Sequence, residues 1–235
     1  MELPLAERDT SVIAALADPL RRRLYLFVCA QPEAVTREQA ADAVAVPVHQ
    51  AKFHLDKLET EGLLETDYAR VSGRRGPGAG RPSKLYRRAA REVSVSLPDR
   101  DYELAGQLMA DAIAEAAETG QPVVDTLYRL AARAGSTIGC QAADADGPPE
   151  SPQTALRLAV ETLAQHGYEP RADDARVLLV NCPFHRLAQA QPRLVCGMNH
   201  ALISGLTAEF APHCPSAALE PAPGRCCVVL TAGTR

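Results

Sequence analysis

The chain has 235 residues, 46% of them apolar, no Trp and a formal net charge of −4, enough length for two modest domains with cores of Leu, Val, Ile and Ala. No run approaches the ~20 apolar residues of a membrane span, and the opening MELPLAERDT lacks the apolar stretch of a secretory signal, so a cytoplasmic location is expected. The acidity argues against nucleic acid until its placement is read: residues 1–91 hold 15 Lys/Arg against 12 Asp/Glu, and residues 68–91 hold eight basic residues and no acidic one, the one-sided charge of a phosphate-facing surface.

Ser11 to about Gln31 (SVIAALADPLRRRLYLFVCAQ) predicts a helix or helix pair, with Ile13, Leu16, Leu20, Leu24 and Phe27 at helical spacing. Asp18-Pro19 is its start signal, cap and first helical residue, and Cys29 reads as core on the apolar side. Thr36 caps a second helix, with Glu38 and Gln39 near the capping-box position. VAVP breaks it, and VHQAKFHLDKLETEGLL starts a third, with Val48, Ala51, Leu55 and Leu58 on one face and Gly62 as the stop. LLETDYARVS has strand character, GRRGPGAG cannot hold regular structure, and RPSKLYRRA resumes a strand. Two helices across a tight break, then a basic hairpin, predict a winged helix-turn-helix over residues 1–91.

The third helix presents His49, Gln50, Lys52, Phe53 and Lys57 between its core positions, where a recognition helix meets base edges and phosphates. Gln50 suits adenine edges and Lys52 phosphate or guanine. Phe53 suits a thymine methyl or, the preferred reading, packing on the first helix. In the wing, Arg81 between glycine and proline fits a narrow minor groove. Arg74, Arg75, Lys84 and Arg87 are expected to neutralise phosphates.

Beyond a linker containing Pro98, YELAGQLMADAIAEAAETG (102–120) is an amphipathic helix expected to pair two protomers, and a second helix follows from Pro122 to Gln141. Residues 92–145 are therefore assigned to linker and dimerisation, and 146–235 to a C-terminal α/β sensor domain. The fold class is α+β. Ser151 or Pro152 opens a helix ending at Gly167, ARVLLVNCPF reads as a buried strand, PRLVCGMNHALISGLTAEF as a helix from about Leu194, and RCCVVLTAG as a closing strand.

Five of the seven cysteines fall between 182 and 227. Cys182 and His185 are three apart, Cys196 and His200 four apart, and thiolate and imidazole are ligands that soft and borderline metals prefer. Pro183 suits a first helical turn, which would place Cys182 at a helix N-terminus and lower its pKa. Cys226 and Cys227, neighbours in a strand, would point to opposite faces, so only one should reach a shared site. Cys214 is a candidate further ligand, and Cys140 reads as structural.

The N-terminal part resembles the ArsR-type winged-helix repressors. With its LVNCPFH, LVCGMN and PGRCC segments, nearly the whole chain is similar to actinobacterial regulators related to SufR, the iron–sulphur-sensing repressors of cluster-assembly operons. That resemblance implies a 4Fe-4S cluster on Cys182, Cys196 and one of Cys226 or Cys227, with Cys214, His185 and His200 as candidate fourth ligands; Cys214 departs from the family spacing. A structural zinc beside an organic-ligand sensor domain is the alternative. A thiol enzyme with Cys182 as nucleophile and His185 as base is the reading from another class, but no substrate-pocket signature lies near, and no catalytic residue is assigned. The expected protein is a homodimeric repressor, without a membrane partner, that binds a palindromic double-stranded DNA operator and responds to oxidation, nitric oxide or iron shortage.

Overall fold

The structure, a computed structural model, describes residues 11–69, 82–173 and 175–233. The chain forms two compact units, Met1–Val95 and Ser96–Arg235.

In the first unit, α1 (Pro19–Cys29) starts at the expected cap, Asp18 accepting from the Arg21 amide at 2.8 Å. Before α2 (Arg37–Val44) the capping box is complete: Gln39 N donates to Thr36 Oγ1 at 3.1 Å, and Thr36 N to Gln39 Oε1 at 2.8 Å. The helix ends on Ala45 at φ 55°, a left-handed corner rare for a residue with a Cβ, and α3 (Val48–Thr60) begins straight after Pro47. That tight turn makes the helix-turn-helix.

β1 (Val35–Thr36), β2 (Leu64–Ala69) and β3 (Ser83–Arg88) form an antiparallel sheet ordered β1-β3-β2, with Leu64 opposite Arg88 and Ala69 opposite Ser83. Leu24, Val28, Ala41, Ala51, Leu55, Leu58 and Tyr86 fill the core. Two residues expected inside are exposed, Ile13 and Val48. The chain leaves the helix between residues 15 and 19, so the helical phase of Ile13 is not carried into α1. Val48 is the first residue of α3, before its face turns to the core. Residues 70–81, with Arg74, Arg75 and Arg81, lie outside the described residues.

In the second unit, α4 (Tyr102–Thr119) is capped by Asp101, whose carboxylate accepts from Leu104 N at 2.9 Å, and leaves through Gly120 at φ 72°. α5 (Val123–Asp146), α6 (Pro152–Gln165), α7 (His185–Ala190) and α8 (Pro192–Ala208) follow. The sheet of β4 (Pro170–Asp173), β5 (Arg176–Leu179), β6 (Ser216–Leu219) and β7 (Val228–Thr231) runs β4-β5-β7-β6, antiparallel throughout. One core joins both layers, from Leu108 and Leu127 through Leu158 and Met198 to Leu179 and Val228. The expected division at residue 145 is therefore corrected: Ala105, Leu108 and Ala112 of α4 are buried in the same core as the C-terminal strands.

α5 and α8 meet backbone to backbone. A Cβ on Gly135 would lie 1.8 Å from Leu202 O, and one on Gly205 2.0 Å from Ala132 O, so both positions exclude any side chain. Among the described residues no helix is long and apolar enough to cross a membrane.

Candidate nucleic-acid interface and cysteine centre

On α3, burial of Ala51, Leu55 and Leu58 turns His49, Gln50, Lys52, Phe53 and Lys57 outward. Phe53 is 68% exposed, which corrects the expectation that it packs on the first helix. It stands two positions after Ala51 and two before Leu55, hence off the buried stripe, and its ring meets His54 edge-on at 5.2 Å. An open groove along this face is lined by His49, Lys52, Phe53, Asp56, Lys57 and Thr60.

The basic residues expected to meet phosphate differ in how free they are. Lys57 pairs with Glu61, and Arg87 with Glu65 at 3.0 Å; both are well exposed, and such surface pairs are weak enough to be exchanged for phosphate. Lys84 is different. Only 22% of its side chain is exposed, and its ammonium donates to Asp56 Oδ1 at 3.0 Å and to Glu59. Tyr86 OH also donates to Asp56, at 2.8 Å, and Thr66 Oγ1 to Glu59 at 2.6 Å. Burial opposes the charge on Lys84, but the bonds to Glu59 and Asp56 outweigh it and raise its pKa. Burial likewise works against the Asp56 carboxylate, and the Lys84 and Tyr86 hydrogen bonds still hold it below the usual range. The phosphate role expected of Lys84 is thus corrected: it bolts β3 to the recognition helix, while Thr66 ties β2 to the same helix.

In the second unit three separate segments bring four cysteines to one buried core. Cys182 follows β5, Cys196 lies in α8, and Cys226 and Cys227 precede β7. Backbone bonds fix the loops: Cys226 N to Leu179 O at 2.7 Å, Glu220 N to Cys227 O at 2.7 Å, and His185 N to Cys182 O at 3.0 Å. The Cys182 and Cys227 thiols both donate to the sulfur of Cys226, and Cys227 also meets Cys196. Asn199, fully buried, donates Nδ2 to Cys226 Sγ at 3.2 Å, and Tyr168 OH donates to Asn199 Oδ1. These donors, Cys182 first, hold Cys226 well below the ordinary thiol range despite its burial. The hydrogen bond to Cys226 and then burial push Cys182 and Cys227 up.

Two expectations change here. Cys226 and Cys227 lie before the strand rather than in it, so strand alternation does not separate them and both join the group. Cys182 does not sit at a helix start, since α7 begins only at His185, and its pKa is raised rather than lowered.

The other ligand candidates lie elsewhere. Cys214 Sγ donates to Ala208 O at 3.4 Å, His200 Nε2 lies 3.0 Å from Ala217 O, and His185 is exposed at the start of α7. Cys140 is exposed on α5 and donates to Glu209 at 3.2 Å. Among the described residues no set of three or more His, Cys, Asp or Glu side chains surrounds one point as the ligands of a single ion do. The sulfurs form a string instead, Cys182–Cys226–Cys227–Cys196.

Residues 16–67 match a family described as a helix-turn-helix domain. The first unit carries a DNA-binding helix-turn-helix. That domain supports a role in DNA binding and transcriptional regulation. No curated protein and no solved structure matches it.

Sequence reasoning missed Asn199 and Tyr168. Asn199 follows Cys196 by three residues in one helix and so shares its face, a signal available in the spacing. Tyr168 carries none; only the fold brings it to Asn199.

Proposed function

We propose that this regulator is a homodimer that reads a palindromic operator through α3 and the wing, and that Cys182, Cys196, Cys226 and Cys227 hold a 4Fe-4S cluster whose state sets DNA affinity. The observation that carries the cofactor reading is the meeting of four cysteines from distant segments in one core, Cys182, Cys226 and Cys227 buried in it and Cys196 packed against it. A polynuclear cluster takes its thiolates at separate irons, four in all, whereas zinc needs four ligands around one point. The donor set therefore fits the cluster better than the ion. When bound, such a cluster supplies a centre that oxidation or nitric oxide can dismantle.

The chain's own residues do the rest. Asn199 donates to a sulfur, as groups that tune cluster potential do, and Tyr168 orients Asn199. Phe184, Met198, Ile203 and Val228 belong to the same buried core and limit access of water. On the DNA side Gln50 and Phe53 read bases, and Phe53 is free to meet a thymine methyl. For the dimer, α4 offers an outward stripe of Gly106, Ala110, Ile113 and Ala114, with Ile113 60% exposed.

Anaerobic purification tests the cofactor. Brown protein with broad visible absorption and roughly four iron and four sulfide per chain is expected. Cys182→Ser and Cys196→Ser should lose iron, while Cys214→Ser should keep it. Colourless protein releasing zinc, or cysteine variants that all retain iron, sinks the reading. So does equal operator affinity of cluster-loaded and cluster-free protein.

A further inference from the structure

The segment that leads into α4 is fastened to the Cys182 loop by bonds running in both directions. Asn181, buried immediately before Cys182, donates Nδ2 to Asp99 O at 3.0 Å and to Gly167 O at 2.6 Å. Its Oδ1 accepts from Arg100 Nη1, which also reaches Cys182 O at 3.3 Å and Asp99 O at 2.9 Å. Asp101 N donates to Pro183 O at 3.2 Å, and Arg186 N to Tyr102 OH at 3.4 Å. The polar groups of the Asn181 amide are thus all engaged, and three of these bonds end on backbone of residues 99 and 182. The four-sulfur string needs none of them.

The placement in the chain gives the joint its interest. Cys182 carries a sulfur of the string and, on the same residue, the carbonyl that Arg100 grips. Residues 99–102 follow closely on Val95, the last residue of the DNA-binding unit. A shift of the Cys182 backbone would stretch or bend these bonds, and hydrogen bonds weaken steeply with distance and angle.

We propose that this joint reads the cysteine centre: a change at Cys182 re-sets residues 99–102, the tether of the DNA-binding unit, with Arg100 and Asn181 as positioning residues. The proposal deepens the reading above and rests on it. Such coupling requires that the joint be made in one state and loosened in the other.

Amide hydrogen exchange over residues 96–104 of the full chain tests it, with cadmium as the thiolate-binding probe. In the wild type, cadmium is expected to change exchange in this segment by about fivefold or more, within the usual range of coupling. Arg100→Ala should bind cadmium with wild-type stoichiometry and melt as a folded protein, yet show a change of less than about twofold. Arg100→Lys, which keeps the charge and one donor, should recover part of the response, and it serves alone if the alanine variant fails to fold. Cadmium uptake without altered exchange in the wild type overturns the joint and leaves the cofactor reading standing. An undiminished response in both variants also overturns it. Absence of cadmium uptake overturns this proposal, which needs a thiophilic group at Cys182, and leaves the cluster reading to its own iron and sulfide analysis.

Discussion

Phe53 shows what a single side chain can carry. An aromatic ring left 68% exposed on a recognition helix gives up the gain of burial, so its truncation should leave folding intact and act on DNA. Phe53→Ala is expected to lower operator affinity about tenfold, the scale of one lost base contact, with an unchanged thermal midpoint; fluorescence anisotropy beside a melt measures both. Tyr168 is the opposite case. It is buried, and its hydroxyl serves Asn199. Tyr168→Phe leaves a buried amide oxygen unpaired and should cost about 1–3 kcal/mol in denaturant unfolding. The caps at Asp18 and Thr36 were legible because a cap is a bond within a few residues of sequence. Tyr168 and Asn199 meet across 31 residues, and no local pattern encodes that meeting.

At the scale of elements, the hairpin and α3 behave as one piece because Lys84 and Tyr86 converge on Asp56 while Thr66 and Lys84 meet Glu59. Lys84→Met would leave two carboxylates facing each other, and a loss of about 1–3 kcal/mol in the first unit is expected by chemical denaturation. The pH dependence has a defined sign. Asp56 is held below the usual carboxyl range, so its contribution is present above about pH 4 and fades as pH falls through its lowered value. Lys84 is raised, so its contribution is present below about pH 10 and fades only as pH rises past its raised value. Melts of Lys84→Met should therefore be flatter on both limbs, and parallel curves would count against the bolt. The helices were readable from apolar spacing, whereas β4 and β6 were not: each is four residues long, and neither holds a fully buried residue. CCVVL reads as continuous strand, but the ladder begins only at Val228, and that boundary placed both cysteines in the centre.

For the whole molecule, the amphipathic pattern of α4 was visible but ambiguous, since an apolar stripe does not say what covers it. Ala105, Leu108 and Ala112 face the unit's own core, so any pairing is left to the opposite side. If that side joins protomers, Ile113→Glu should give a monomer by sedimentation and weaken operator binding steeply; a variant that sediments as a dimer would refute the interface. The charge split between the halves, by contrast, was legible from composition alone.

The notches at Gly135 and Gly205 govern how this architecture can respond. Even Gly205→Ala forces a methyl onto a carbonyl oxygen and should cost about 1–3 kcal/mol or more by thermal unfolding. With no slack there, α8 is an anvil, and the Cys196 and Asn199 it carries are locked to α5. On the proposed reading, the parts left to yield are the turn before β7 and the loop at residues 180–184, the second of which is gripped by Arg100.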